Sequence, residues 1–197
     1  MINRKLVVFI SSTSDLKTER EMVAADLPAS FSPYLYERER ARGQIPRDRI
    51  MEALRESSAF VGILGERYGS ALNGETDCSI VEWEFDTARK YRKQQAIEIM
   101  ACQKANMSME QIDERQRRFL EKIGGFSNEH ALWIKFYNSP EHLCSMVKDS
   151  LLDWLSEFYL EMKQRRIIWQ TDNIIKMIIS IGLLLLAIAG LGFDLLK

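Results

Sequence analysis

The chain has 197 residues, with 27 lysines and arginines, 28 aspartates and glutamates, and a formal net charge of -1 at pH 7. This length suits one ordinary domain with an appendage, and the near-neutral charge gives no electrostatic case for nucleic-acid binding. Cys78, Cys102 and Cys144 lack the spacing of metal ligands and suit a reducing compartment.

Short apolar runs alternate with helical periodicities along the chain. The predicted strands are residues 6–10, 32–36, 59–64, 96–100 and 132–137. The predicted helices are residues 16–27, 47–57, 79–93, 108–123 and 140–164. Alternation of this kind predicts an α/β fold, with a parallel sheet of about five strands and helices on both faces.

Polar residues follow two of the predicted strands directly. The first strand ends in three hydroxyl residues, Ser11, Ser12 and Thr13, and the third is followed by Arg67 and Tyr68. In open parallel sheets, ligands bind beyond the carboxyl ends of the strands, so these loops would share one rim if their strands are neighbours. A simple helix-capping role for the three hydroxyls is an equally good interpretation.

The segment SIVEWEFDTARK begins a predicted helix that carries two glutamates with different surroundings. Glu82 lies three residues after Ser79 and forms a capping box with it, on a face that we interpret as solvated. Glu84 shares the packed face with Ile80 and Ala88, where burial would raise its pKa and make it a functional candidate. The alternative is a glutamate at the edge of this face that pairs with an arginine.

An apolar stretch at residues 174–193 contains one charge, Lys176, and is long enough to cross a bilayer as a helix. Three basic residues precede it, so we predict a single-pass inner-membrane protein whose body is cytoplasmic. The predicted division is a domain at 1–162, a basic linker at 163–173 and an anchor at 174–197. The alternative for the apolar stretch is a buried or dimerising helix.

Three blocks, VFISSTSDLKTERE, AFVGILGERYG and SIVEWEFDTA, resemble the DUF4062 family over roughly residues 5–100. That family is similar to TIR domains and nucleoside deoxyribosyltransferases, which share a flavodoxin-like sheet. In TIR-type NAD glycohydrolases and in the deoxyribosyltransferases, a catalytic glutamate precedes an alanine by four positions in this helix. Glu84 and Ala88 have this spacing, so the resemblance implies that Glu84 is the catalytic residue.

The resemblance also implies a function. We expect a membrane-anchored, TIR-like effector of a bacterial anti-phage defence or signalling system, which hydrolyses or binds NAD or a related nucleotide. A carboxylate beside the ribose would stabilise the positive charge that develops as the N-glycosidic bond breaks. No metal or cofactor is predicted. The predicted nucleotide-binding residues are Ser11, Ser12, Thr13, Arg67, Tyr68 and Trp83.

The sequence leaves two other functions open. The domain could be a non-enzymatic module that binds copies of itself or a protein from the same operon, and that clusters at the bilayer or perturbs it. It could also be a nucleotide sensor without turnover. Tyr68 and Trp83 could be core or interface residues instead of ligand contacts. We expect the protein to form a homo-oligomer.

Overall fold

In the computed structural model of the chain, five strands form one parallel sheet in the order β2-β1-β3-β4-β5. The strands are β1 (Leu6–Ser12), β2 (Phe31–Tyr34), β3 (Ala59–Leu64), β4 (Glu98–Lys104) and β5 (Ile134–Tyr137). The helices are α1 (Lys17–Asp26), α2 (Pro46–Glu56), α3 (Ile80–Gln95), α4 (Glu114–Gly124) and α5 (Pro140–Asp194). This strand order is that of flavodoxin-like folds, so the predicted α/β class and parallel sheet are confirmed.

The structure describes residues 5–38, 46–71, 78–95, 97–108, 110, 112–124 and 134–194. Within these ranges, the side chains of residues 38, 46, 93–95, 170–173, 175 and 178–194 are not described.

The first and third strands of the sequence are neighbours in the sheet. Val8 pairs with Ala59 at one end of the β1–β3 ladder, and Ser12 pairs with Ile63 at the other. Because the two strands are parallel, the loops after Ser12 and after Leu64 leave the sheet at the same edge. The predicted shared rim is therefore confirmed.

An aromatic core fills one face of the sheet, beneath α2, α3 and α4. Phe85 of α3 lies at its centre and packs edge-on against Phe60 of β3 at 5.2 Å and Phe119 of α4 at 5.8 Å between ring centroids. Phe9 of β1 stacks on the Phe60 ring at 5.7 Å. These rings fix α3 against β1 and β3, and so set the position of its amino-terminal turn.

The opposite face of the sheet is covered as well. Val8 and Ile10, which alternate with Phe9 along β1, are buried. Val23 of α1 and Leu143 of α5 are also buried, and Lys148 of α5 forms an ion pair with Asp26 of α1 at 3.3 Å. The sheet thus has helices on both faces, as the strand–helix alternation predicts.

The sheet ends in two short strands. β2 and β5 have four residues each, whereas β1 and β4 have seven. β2 contains Pro33, which has no backbone N–H to donate.

The chain divides into two compact units, Met1–Leu151 and Leu152–Lys197. The second unit contains α5 from Leu152 onward. Among the residues that the structure describes, no helix is both long enough and apolar enough to span a bilayer. Most side chains of the predicted anchor, residues 174–197, lie outside the described set, so the anchor stays a prediction.

Gly62, in the middle of β3, lies against the aromatic core. A Cβ atom added at this position would lie 2.9 Å from Cε2 of Phe85 and 3.2 Å from Cε1 of Phe60. We expect Gly62→Ala to lower the free energy of unfolding by about 1–3 kcal/mol, because two buried rings must shift. Urea denaturation measures this loss.

Gly65→Ala is the matched control for this prediction. The nearest atom to its added Cβ is Cδ1 of Leu16 at 3.1 Å, so one aliphatic side chain has to move by only a few tenths of an ångström. A cost for Gly65→Ala equal to that of Gly62→Ala would contradict this account.

Candidate active site

Glu84 lies on the inward face of α3, one turn from its amino-terminal end. Its neighbours on this face, Val81 and Ala88, are buried, and Glu84 itself is only 6% exposed. On β1, Ser11 points to the same side of the sheet as Phe9, because side chains two residues apart share a face. The packing of α3 on β1 therefore brings a carboxyl group and a hydroxyl group together.

Ser11 and Glu84 form a hydrogen bond across the sheet–helix interface. The Oγ of Ser11 donates to Oε2 of Glu84 at 2.5 Å. Burial raises the pKa of Glu84 to about 7, and the negative charge of Glu37 adds to this rise, while the bond from Ser11 and the charge of Arg20 oppose it. Near neutral pH, both protonation states of Glu84 are populated, as a group that exchanges protons with a substrate requires.

A buried arginine holds the loop after β1. Arg20 of α1 is 4% exposed, and its Nη1 donates to the carbonyl oxygens of Ser12 at 3.2 Å and Thr13 at 3.4 Å. The same nitrogen donates to Oγ of Ser12, and Nη2 pairs with Oε1 of Glu37. Arg20 therefore ties Glu37 to the loop after β1.

The loops after β1 and β3 touch at Thr13 and Gly69. Gly69 has a φ angle of +85°, and an added Cβ would lie 2.9 Å from Cγ2 of Thr13, so a side chain here would be strained and would collide with the first loop. The Oγ1 atom of Thr13 is buried, with no hydrogen-bond partner in the part of the chain that the structure describes. A ligand hydroxyl or amide could supply that partner.

These loops and the amino-terminal ends of α2 and α3 surround a cleft of about 1280 Å³. Its described lining includes five of the predicted site residues, Ser11, Ser12, Thr13, Arg67 and Tyr68, together with Glu84. The structure thus brings together residues that the sequence separates by up to 73 positions. This cleft can hold a ligand beside the Glu84 carboxyl group.

Arg67 and Tyr68 enter this lining in different ways. The Arg67 side chain is exposed, whereas the Tyr68 ring is buried. The Tyr68 hydroxyl donates to Oε2 of Glu82, and the guanidinium carbon of Arg115 lies 5.0 Å from the centroid of the ring. Burial and the contact with Glu82 raise the pKa of Tyr68 to about 12, so its hydroxyl stays protonated. Its ring face is already engaged by a cation, which leaves it poorly suited to stack on a base.

Glu82 is less solvated than the sequence analysis expects. The backbone N–H of Glu82 donates to Oγ of Ser79 at 3.2 Å, as the capping box predicts. Its side chain, however, is only 13% exposed and accepts from Tyr68 and from Nζ of Lys122 at 2.7 Å. The interpretation of this face as solvated was wrong, because Tyr68 and Lys122 come from distant loops and helices that the helical pattern does not show.

Trp83 lies outside the cleft lining, considering the residues that the structure describes. It is half-buried against the aromatic core, and the guanidinium carbon of Arg47 lies 5.7 Å from its ring centroid. The structure does not bring Trp83 to the other predicted nucleotide-binding residues.

Sequence reasoning missed two exposed apolar residues of the lining, Tyr36 after β2 and Met51 in α2. Both are exposed, at 39% and 36%. The sequence gives no indication that these two residues bind a ligand, because it does not show which helix or turn faces the cleft.

Glu37 offers a test of the electrostatics around Glu84. We expect Glu37→Gln to lower the pKa of Glu84 below about 7, because the variant removes a negative charge that raises this pKa. Carbon-detected NMR titration of the glutamate carboxyl groups measures the change. Glu66→Gln removes another carboxylate of the lining and should leave the pKa of Glu84 in place. An unchanged titration in Glu37→Gln would contradict the assigned cause.

Comparison with known proteins gives one family match. The model of a domain of unknown function, DUF4062, matches residues 7–152. No curated protein matches the chain.

Proposed function

This chain belongs to the DUF4062 family of domains of unknown function, and from its site we propose that it binds a nucleoside or nucleotide, NAD-like in its glycosidic linkage, and hydrolyses the N-glycosidic bond. The observation that carries this proposal is the buried Glu84 carboxyl group, hydrogen-bonded to Ser11 at 2.5 Å in the wall of a large cleft. Carboxyl groups with raised pKa values in clefts are typical of catalytic sites.

The proposed reaction breaks the bond between the anomeric carbon and the base nitrogen. The base leaves with the bonding electron pair, and the oxygen of a water molecule bonds to the anomeric carbon. The proton that this water loses passes to the departing base, or to solvent when the base was positively charged in the substrate. Positive charge develops on the sugar ring in the transition state, and an ionised Glu84 stabilises it at close range. Ser11 orients the carboxylate through its hydrogen bond, and the burial of Glu84 reduces the screening of its charge by water.

The resemblance to TIR domains and deoxyribosyltransferases belongs to the same proposal. It is supported by the strand order β2-β1-β3-β4-β5 and by the inward direction of Glu84, four residues before the buried Ala88. Both features are those expected of a flavodoxin-like domain with a ligand site at the carboxyl edge of its sheet.

Membrane anchoring and self-association form a second proposal, which the surface of α5 favours. Tyr159, Leu160 and Trp169 are large apolar residues that are well exposed on this helix. Exposed apolar residues of this density mark contacts with proteins or membranes. Together with the apolar sequence of residues 174–193, they support an anchored, clustering protein with a defence or signalling role. Carbonate extraction of cell membranes and chemical crosslinking test this second proposal.

Incubation of the purified full-length chain with NAD and with nucleosides tests the first proposal. We expect release of the free base, measured by chromatography. If the chain neither binds any of these N-glycosides nor releases a base from them, only the second proposal stands.

A further inference from the structure

Exposed apolar side chains in the α/β unit are concentrated at the cleft. Within the described part of residues 5–151, three large hydrophobic side chains are exposed, namely Tyr36, Met51 and Phe136. Tyr36 and Met51 line the cleft, and Phe136 does not. We call these two side chains of the cleft lining the wall. Large apolar side chains that are exposed in a cleft mark a contact with a ligand or partner.

The same wall has the chemistry of a base-binding surface. Tyr36 offers an aromatic ring and Met51 a polarisable thioether, and Ile50 beside it in α2 extends the apolar lining. Planar bases bind to such side chains by stacking and dispersion contacts. Tyr36 is therefore better suited to stacking than Tyr68, whose ring already contacts Arg115, or Trp83, which lies outside the lining.

The charges of the lining are unfavourable for a phosphorylated ligand. Among the described lining residues, six carboxyl groups face three guanidinium groups. Arg20 and Glu37 pair with each other, which leaves five carboxyl groups and two guanidinium groups in the described lining. A cleft with this excess of negative charge repels phosphate groups and accepts neutral or cationic ligands.

Neutral hydrogen-bonding groups suit the remaining polar atoms of the site. The buried Oγ1 of Thr13 has no partner among the described residues, and the Glu84 carboxyl group has one oxygen beyond the bond to Ser11. A hydroxyl can donate to and accept from such groups, so the hydroxyls of a ribose fit this rim without added charge.

Resting on the proposed function, we infer that the substrate is an unphosphorylated nucleoside, with its base on the wall formed by Tyr36 and Met51 and its sugar between Thr13 and Glu84. A nucleoside whose base carries a positive charge, such as a pyridinium riboside, belongs to the same class, because the excess of carboxyl groups also favours cations.

Calorimetric titration of the full-length chain with matched ligand pairs tests this inference. Adenosine, uridine and nicotinamide riboside are each compared with their own 5′-monophosphate at one ionic strength, with NAD as a further ligand, and base release is followed by chromatography. We expect at least one nucleoside to bind at least about tenfold more tightly than its monophosphate and than NAD. Tighter binding of the monophosphates or of NAD overturns the inference and leaves the proposed function standing. No binding or base release with any of these ligands overturns both.

Variants of the wall give the second arm of the test. Tyr36→Ala should weaken binding of the preferred nucleoside at least about tenfold, since a stacking partner is lost, whereas Tyr36→Phe keeps the ring and should restore the affinity. Phe136→Ala removes an exposed aromatic ring outside the cleft and should change nothing. Equal losses in Tyr36→Ala and Phe136→Ala, or no loss in either, would overturn the assignment of this wall.

Discussion

Glu84→Gln should abolish base release and, above pH 7, make the protein more stable. The variant keeps an oxygen that can accept the hydrogen bond from Ser11, but it has no charge with which to stabilise the developing positive charge on the sugar. Loss of such an electrostatic contact costs at least about 100-fold in turnover. Initial rates at saturating nucleoside measure this loss.

The stability change follows from the raised pKa of Glu84. Burial lifts this pKa from 4.5 to about 7, so between these pH values the folded chain binds more protons than the unfolded chain. The free energy of unfolding therefore falls as pH rises through this window, by up to about 3 kcal/mol from this one group. Glutamine does not titrate. Relative to the unmodified chain, Glu84→Gln should therefore show its full gain in the free energy of unfolding at pH 8 and no gain below pH 4.5. Urea denaturation across this pH range measures the difference.

Glu82→Gln is the matched control on the same helix. Its amide oxygen can still accept from the Tyr68 hydroxyl, and the backbone N–H at position 82 still donates to Ser79. We expect activity to be retained and stability to fall by about 1 kcal/mol or less, through the lost charge opposite Lys122. Equal, severe losses of activity in folded samples of both variants would contradict the role assigned to Glu84.

Arg20→Met should lower the free energy of unfolding by about 2–4 kcal/mol, because two carbonyl groups of the loop after β1 lose a charged donor. The Glu37 carboxylate can be solvated by water once Arg20 is lost, since its side chain is already 56% exposed. The loss of this ion pair therefore adds little to the decrease in the free energy of unfolding. The same variant removes a positive charge that lowers the pKa of Glu84, so this pKa should rise above about 7. Denaturation and the glutamate NMR titration measure the two effects.

The control for Arg20→Met lies on the same helix. Lys17→Met breaks an exposed pair with Glu21 at 3.8 Å and should change stability by no more than about 0.5 kcal/mol. A pKa of Glu84 that falls in Arg20→Met would contradict the electrostatic assignment, because the loss of a positive charge should raise this pKa, in the opposite direction to the shift expected from Glu37→Gln.

The centre of the site could be predicted because it depends on local periodicity. Helical spacing alone puts Glu84 with Val81 and Ala88, and strand alternation puts Ser11 with Phe9. Because β1 and β3 are parallel neighbours, their carboxyl ends lie at the same edge of the sheet. The contact between Ser11 and Glu84 follows from these rules, with no knowledge of the packing in detail.

The surroundings of the site could not be predicted in the same way. Glu82 looks solvated on a helical wheel, yet Lys122 from α4 covers it, and only the tertiary packing of α3 and α4 reveals this. Tyr36 and Met51 are unremarkable in sequence, because their importance lies in being exposed where other apolar residues are buried.

Some predicted boundaries of helices and strands were wrong for a related reason. The helix predicted from residue 108 begins at Glu114, where Oδ1 of Asp113 accepts from the backbone N–H of Arg115 at 2.8 Å and caps the first turn. β1 continues to Ser12, because the backbone ladder with β3 holds this polar residue in extended form.

The short outer strands bear on how copies of this chain can associate. A strand at the edge of a sheet can pair with a strand of another chain through its free backbone donors and acceptors. β2 and β5 offer only four residues each for such pairing. Pro33 also removes one backbone donor from β2. Cross-chain extension of the sheet, the common route to fibrils and domain-swapped aggregates, is therefore disfavoured. Clustered copies would have to join through side chains on helices or loops, so point substitutions on those surfaces could disperse a cluster while leaving each sheet intact.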